Sequence, residues 1–349
     1  MIDRMNKVHT MSTNKVYKSQ WTLFEAWCIE RRTDPLSATA VLISDFLLYL
    51  FKERNLQVKS IEGYRSALTF ILKRASGYDL SQCDIISDLI RGFKLERPRR
   101  PRVEVQWDIS VVLRFLQTDT FNFESVSPRW LTWKALFLVA LAAGKRRSEL
   151  HALERESVAF GPDASSVQLK PHPRFLSKTH ISAGGVATLQ QVSIPALPSV
   201  DPDTPSLCPV RTLQRYIEVS DLYRSPGQRA LFVSFVKSID REISPQTISS
   251  YIKQLIVAAY RAINDWPDTE TVNKFNIKAH QVRHVAHSLG QLGNLSLSDI
   301  IRTGGWTSSN MFIRHYLQHL SNDSVTALQS VGTFVAIENV FQHKPVTQF

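Results

Sequence analysis

The sequence is poor in cysteine and has no hydrophobic run long enough to cross a membrane. It contains three cysteines, Cys28, Cys83 and Cys208, and no two of them form a CxxC pair. This usage excludes a disulfide framework and a thiolate zinc site, and it is typical of a reducing compartment. The longest apolar run, Ala135–Ala143, predicts a buried helix, because a spanning helix needs about 20 apolar residues. Since the segment MIDRMNKVHT lacks an apolar signal-peptide region, we expect a soluble intracellular protein.

Motifs for nucleotides and metals are also lacking. The pair Gly144-Lys145 has no leading glycine at the spacing of the phosphate-binding loop GxxxxGK, and no acidic metal-binding cluster stands out. His280 and His284 have the i, i+4 spacing that suits zinc on a helix, but Gln281 stands where a HExxH motif requires Glu. A zinc helix stays open as an alternative. The favoured hypothesis is a protein that needs neither a metal nor another cofactor.

Positive charge is in excess, with a formal net charge of +11. Such a balance suits an anionic partner, most simply nucleic acid. The first 102 residues hold 18 Lys+Arg and 11 Asp+Glu, so most of the excess lies there. It includes the Pro-punctuated stretch KLERPRRPRV at 94–103, which we predict to be a basic interdomain linker along a DNA backbone; a solvated linker and a nuclear-import tract are the alternatives. The predicted DNA contacts in this linker are Arg97, Arg99, Arg100 and Arg102.

Hydrophobic periodicity predicts a mainly α-helical protein with a small antiparallel β-sheet or hairpin. A flexible N-terminus covers 1–14 and an all-helical domain covers 15–93. Its first helix starts near 15 and is broken by Asp34-Pro35, and further helices are expected near 37–52, 60–77 and 84–93. Ser60 is the expected N-cap of the third helix and Gly77 its stop. The second domain covers 104–331, followed by a tail at 332–349. Its strands are expected at 166–169 and 190–194, and its helices at 109–116, 130–143, 210–219, 245–263, 277–292, 298–303, 308–320 and 323–331.

Residues with phosphate chemistry are concentrated between 280 and 316. His280 and Arg283 lie three apart, so they share one helix face and can both donate hydrogen bonds to a phosphate. The indole N–H of Trp306 is a further donor. The hydroxyl of Tyr316 can act as a nucleophile once its proton is withdrawn. Each feature alone is more often structural, but their order along one chain favours a shared site.

The order His280-x-x-Arg283, Gly305-Trp306 and His315-Tyr316-Leu317 resembles the tyrosine recombinases, the DNA strand-exchanging integrase family. The form of these motifs is most similar to the recombinases of DIRS-type retroelements. Upstream, Gly144-Lys-Arg-Arg-Ser-Glu-Leu150 is similar to the segment with the family's first arginine, and IEGYRSAL at 61–68 resembles the helical core-binding (SAM-like) domain. The resemblance covers roughly residues 15–331. It implies a core-binding domain followed by a DNA breaking-rejoining catalytic domain.

The resemblance implies a role for each motif residue. Tyr316 is the nucleophile that forms a 3′-phosphotyrosyl intermediate. Arg146, His280 and Arg283 hold the scissile phosphate. Trp306, where most members have His, is a donor that stabilises charge and cannot transfer a proton.

Four residues around these motifs also receive roles. Lys178, within a stretch FLSKT that resembles the family's lysine segment, is expected to protonate the leaving 5′-oxygen, and Lys170 is the alternative. Glu149 is expected to support the arginine site. Lys145 and Arg147 flank Arg146 where the family usually has apolar residues; we assign both to DNA binding, and Arg147 stays open as the phosphate-binding arginine.

The resemblance also implies partners and location. We expect a C-shaped clamp on double-stranded DNA that works as a homotetramer on two duplexes, without a membrane. The C-terminal segment with Val325, Leu328 and Val331 is the expected docking helix between protomers. A DIRS-type protein acts in the nucleus, and a non-eukaryotic one acts in the cytoplasm. Two alternatives stay open: a type IB topoisomerase-like enzyme and a catalytically inactive, domesticated DNA-binding protein.

Overall fold

The chain forms two compact units in a computed structural model, Met1–Val103 and Glu104–Phe349. The structure describes residues 11–77, 79–98, 107–175, 191–197, 207–235, 241–263 and 277–292. The helices expected at 298–303, 308–320 and 323–331 and the tail at 332–349 lie outside these ranges. Within them, no helix has both the length and the apolar character needed to cross a membrane.

The first unit is built from four described helices around one aromatic-rich core. Phe24 and Phe46 meet edge to face at 5.0 Å, and Phe51 stacks on Phe93 at 4.1 Å. Asp34 caps a turn of 3₁₀ helix at Pro35–Ser37. The helices are α1 (Met11–Glu30), α2 (Ala40–Lys52), α3 (Val58–Ala75) and α4 (Asp84–Glu96).

Several expected helix boundaries in this unit were wrong, among them the start of α2, which lies at Ala40 instead of residue 37. Helix α1 begins at Met11, because none of the residues up to Asn14 is a helix breaker and extending a formed helix costs little. Helix α3 begins two residues before Ser60, with Gln57 as its N-cap, and Ser60 is therefore inside the helix. Helix α4 continues to Glu96, into the expected linker, and ends before Pro98, which disfavours a helical residue in front of it.

The second unit combines six described helices with a three-stranded antiparallel sheet, so the predicted fold class is confirmed. The sheet order is β1-β2-β3, with Val167 paired to both Phe160 and Ile194. Strand β1 was missed because two residues are too few for an alternating pattern. The elements are α5 (Ile109–Leu116), α6 (Pro128–Ala143), α7 (Arg147–His151), β1 (Ala159–Phe160), β2 (Ser166–Leu169), β3 (Val192–Pro195), α8 (Pro209–Asp221), α9 (Pro245–Ile263) and α10 (His280–Leu292).

Helix α6 forms the centre of this unit. Every side chain from Leu131 to Ala143 is buried, as its all-round apolar pattern predicts. Ser127 caps its start, Pro128 occupies the first turn, and Gly144 ends it in the left-handed conformation with φ +56°. Helix α6 therefore delivers the chain, at a defined point, to the basic motif that follows Gly144.

Lys134 is the charged exception inside α6. Its side chain is fully buried, Nζ donates to the carbonyl oxygen of Leu116 at 2.9 Å, and the Phe121 and Phe123 rings lie 5.4 and 5.3 Å away. The carbonyl belongs to the last turn of α5, where the helix dipole favours a cation. Burial lowers the pKa of Lys134 from 10.5 to about 7.

Replacing Lys134 by Met should flatten the dependence of stability on pH. Between about pH 7 and 10.5 the unfolded chain keeps a proton on Lys134 that the folded chain has lost, so folding becomes more favourable as pH rises. We expect the wild-type free energy of unfolding to rise relative to Lys134→Met by on the order of a few kcal/mol across this window. Urea denaturation at pH 7–10 measures it. Lys253→Met, at an exposed position of α9, is the control, and equal slopes in wild type and Lys134→Met contradict the expectation.

Candidate functional site

The turn after α6 presents a group of cationic side chains next to one carboxylate. Arg146 precedes the first residue of α7 and Glu149 lies in its first turn. Glu149 Oε2 accepts from the backbone N–H of Arg146 at 2.8 Å, and Oε1 accepts from Arg146 Nη1 at 2.8 Å. Glu149 therefore caps the start of α7, where the helix dipole favours negative charge. The same carboxylate also orients the Arg146 guanidinium.

Arg283 reaches the same carboxylate from α10. Its side chain is only 3% exposed, and Nη1 lies 3.5 Å from Glu149 Oε2. The structure thus brings together Arg146, Glu149 and Arg283, which sequence reasoning assigned to one site. Their meeting at Glu149 is a tertiary contact between distant segments.

The electrostatics of this group favour a bound anion. Burial acts to raise the pKa of Glu149, but Arg283, the Arg146 backbone N–H, the Arg146 guanidinium and Lys145 together hold it below its usual value. Burial lowers the pKa of Lys145, and repulsion from Arg283 and Arg146 lowers it further against the attraction of Glu149. Two arginines and a lysine therefore surround a single ionised carboxylate, and the excess positive charge suits a phosphate.

Arg146 and Arg147 point to different partners. Arg147 is exposed, and its Nη1 lies 3.3 Å from Ser249 Oγ on α9. Arg146 makes the paired contact with Glu149, so it is the arginine of the two that the structure brings into the group with Arg283.

Helix α10 carries both buried and exposed functional candidates. His280 is exposed at its first turn, and its ring lies 5.2 Å from that of the buried His284. Among the described residues, no group of three His, Cys, Asp or Glu side chains could hold a metal ion. Val282 and Val285 are buried, as their helical spacing predicts. Helix α10 therefore anchors Arg283 through its apolar face while His280 stays at the surface.

A polar contact that sequence reasoning missed fixes the start of α10. The side-chain oxygen of Gln281 accepts from the indole N–H of Trp107 at 3.1 Å and from the Lys278 backbone N–H at 2.7 Å. Trp107 and Gln281 are both buried, so this bond is shielded from water. No sequence signal joins these two residues, because the contact depends on how two distant segments pack.

The remaining candidates fall in different places. Arg97 donates Nη1 to the Leu56 carbonyl oxygen at 2.9 Å and lies 4.1 Å over the Phe51 ring, so its guanidinium packs within the first unit. Lys170 is exposed directly after β2. Outside the described residues lie Arg99, Arg100, Arg102, Lys178, Trp306 and Tyr316.

Comparison with known proteins agrees with the motif order. No family model matches the chain. An integrase/recombinase described as a xerD homolog, from Selenomonas ruminantium, is 23% identical over 257 residues, which are 72% of this chain and 69% of that protein.

Two solved structures share the fold. The Tn1549 transposon integrase in complex with transposon right-end DNA has a TM-score of 0.55 and 15% identity, over 94% of this chain and 95% of that one. A lambda integrase tetramer bound to a Holliday junction has a TM-score of 0.50 and 15% identity, over 91% and 76%. The DIRS-type likeness stays a prediction. The curated relative and the shared fold therefore agree with the motif order in making the chain similar to the tyrosine recombinases, or phage-type integrases.

Proposed function

We propose that this protein is a site-specific DNA recombinase that cleaves and rejoins DNA through a 3′-phosphotyrosyl intermediate and integrates a mobile element. The observation that carries the proposal is the convergence of Arg146 and Arg283 on Glu149, next to Lys145. A guanidinium has five N–H donors, so the contacts to Glu149 leave others for phosphate oxygens. The carboxylate orients these donors and does not neutralise all of them.

The arrangement suits a phosphoryl transfer better than simple DNA binding. Arg283 is buried and Arg146 is held at two atoms by Glu149, so both guanidiniums have a fixed position before a phosphate binds. Fixed donors stabilise the additional charge of a pentavalent phosphorus without reorganising during the reaction. His280, exposed on α10, and Trp306 complete the proposed set of donors.

Tyr316 is the proposed nucleophile. A phenol has a pKa near 10, and nearby cations favour its ionised form. Its oxygen attacks the phosphorus, the bond to the 5′-oxygen breaks, and Lys178, or Lys170, gives that oxygen a proton. Attack by another 5′-hydroxyl on the phosphotyrosine reverses these bond changes and releases the tyrosine. One phosphodiester bond is exchanged for another, so the cycle needs no nucleotide.

The proposed partner is double-stranded DNA, bound by a homotetramer on two duplexes. The net charge of +11 and the basic segment at 94–103 support it. The Tn1549 integrase was solved with transposon DNA and lambda integrase as a tetramer on a Holliday junction, which supports the same assembly here. We propose a nuclear location for a eukaryotic, DIRS-type host and a cytoplasmic one otherwise.

Replacing Tyr316 by Phe should abolish the covalent DNA adduct and leave DNA binding unchanged, because only the attacking oxygen is removed. The full chain is incubated with a pool of nicked suicide duplexes of random sequence, and retained DNA is sequenced to recover the target. Adducts are then measured on denaturing gels, and the linked residue is mapped by mass spectrometry.

Three results would contradict this proposal. An adduct mapped to another residue excludes Tyr316, and the absence of any wild-type adduct favours an inactive DNA-binding protein. Relaxation of a supercoiled plasmid that lacks the recovered site favours a type IB topoisomerase-like enzyme.

Replacing Glu149 by Gln should lower stability by about 3 kcal/mol, because it leaves the buried guanidinium of Arg283 and the partly buried one of Arg146 without their carboxylate. The pKa of Glu149 is lower in the folded chain than its value of 4.5 in the unfolded chain, so the ionised carboxylate stabilises the fold. This stability is fully present above pH 4.5 and is lost as the pH falls through the pKa of the folded chain. Urea denaturation from pH 7 to pH 3 should show a weaker acid destabilisation in Glu149→Gln than in wild type. Glu156→Gln, at an exposed position close in sequence, is the control; an equal loss in both variants excludes a special role for Glu149.

A further inference from the structure

The segment Leu153–Arg155 follows α7 and lies between two other extended stretches of chain. On one side, the backbone N–H of His172 donates to the Ala152 carbonyl oxygen at 2.7 Å, and the backbone N–H of Glu154 donates to the Lys170 carbonyl oxygen at 3.4 Å. Leu153 also forms an antiparallel bridge with Pro171. This side therefore ties the segment after the arginine motif to the chain that leaves β2.

The other side contacts the chain that follows α8. The backbone N–H of Arg155 donates to the Arg229 carbonyl oxygen at 2.8 Å, and that of Leu231 donates to the Leu153 carbonyl oxygen at 2.9 Å. Leu153–Arg155 is thus the middle of three extended segments. Its backbone hydrogen bonds set the order of the three segments.

Glu154 adds a side-chain link across all three segments. Its side chain is 10% exposed, and its Oε1 lies 3.1 Å from Arg229 Nη2 and 3.8 Å from His172 Nε2. A buried carboxylate is costly unless cations or donors compensate for lost water. The arrangement therefore holds the side chains of both outer segments towards the middle one.

The His172 ring is oriented to take part in this link. Its Nδ1 accepts from the Arg174 backbone N–H at 3.0 Å, so the neutral ring carries its proton on Nε2, the atom that faces Glu154. The imidazole N–H therefore faces Glu154 Oε1 at 3.8 Å, which is within ion-pair distance but too long for a direct hydrogen bond. This contact places the first residues beyond β2 next to Glu154.

We propose that Glu154 is a positioning residue that holds the stretch from Lys170 to His172 in place relative to Arg146, through His172 on one side and Arg229 on the other. The inference rests on the proposed function, in which Lys170, or Lys178 later in the sequence, protonates the leaving oxygen. Glu154 lies five residues after Glu149, so the same short stretch orients the arginine and the lysine-bearing chain. A proton donor displaced by about 1 Å can cost about a hundredfold in rate.

The test removes the need for the proton donor and asks whether Glu154 still matters. The full chain cleaves two versions of the nicked suicide duplex recovered above, one with the natural 5′-oxygen and one with sulfur in its place. A thiol has a pKa near 8.5 and leaves as the thiolate, so the sulfur version needs no proton. We expect Glu154→Gln to slow cleavage of the oxygen version about tenfold or more and of the sulfur version less than about twofold.

Matched variants separate positioning from general damage. Asp221→Asn is the matched control, because Asp221 pairs with Arg155 Nη2 at 2.6 Å and belongs to the opposite side of the segment from Lys170. This variant should slow the cleavage of both substrates equally or of neither. His172→Gln, with a side chain 39% exposed, should show the selective loss in a smaller degree and decides the question if Glu154→Gln does not fold. Equal slowing of both substrates, or of neither, in both Glu154→Gln and His172→Gln overturns the inference. A wild-type chain that cleaves neither substrate overturns the proposed function as well.

Discussion

The ion pairs of Glu149 with Arg146 and Arg283 hold the candidate site together. Charges taken out of water are costly, and each of these groups is largely shielded, so each depends on the others for compensation. The carboxylate also caps α7 through the Arg146 backbone N–H. Local helix formation, the meeting of two distant segments and the binding chemistry of the site therefore depend on one side chain.

The central helix α6 determines where that carboxylate lies. Its buried surface fixes the helix among its neighbours, and the left-handed Gly144 ends it at one defined residue. Two of its polar side chains are satisfied by nearby backbone: the Thr132 hydroxyl donates to the Pro128 carbonyl oxygen at 2.7 Å, and Lys134 donates to the Leu116 carbonyl oxygen. A well-packed helix can then present a highly charged turn without losing its own position.

The middle segment Leu153–Arg155 extends this order beyond the arginine motif. Backbone hydrogen bonds on both of its sides connect α7 to the ends of the neighbouring stretches, and Glu154 links their side chains. The site is therefore supported by a small region of extended chain as well as by helices. Support from both helices and extended chain suits phosphoryl transfer, because that reaction requires several hydrogen-bond donors to keep their relative positions.

Periodicity and capping chemistry, both local, determined much of the fold from the sequence alone. Helices α5 and α9 have the predicted bounds, and the stops at Gly77 and Gly144 coincide with positive φ. The motif residues and their order also indicated the similarity to the tyrosine recombinases. The predicted start of α3 was wrong, because a residue that can cap a helix, such as Ser60, can also lie inside one when packing favours the longer helix.

Only the tertiary structure revealed that Arg146 and Arg147, neighbours in sequence, contact different partners once α7 and α9 pack. It also revealed the contacts of Glu154 with His172 and Arg229 and of Gln281 with Trp107. These pairs join segments that are far apart in the chain, so no local pattern could reveal them. The sequence by itself determined which groups are available for phosphate chemistry, and the packing of distant segments decided which of them meet.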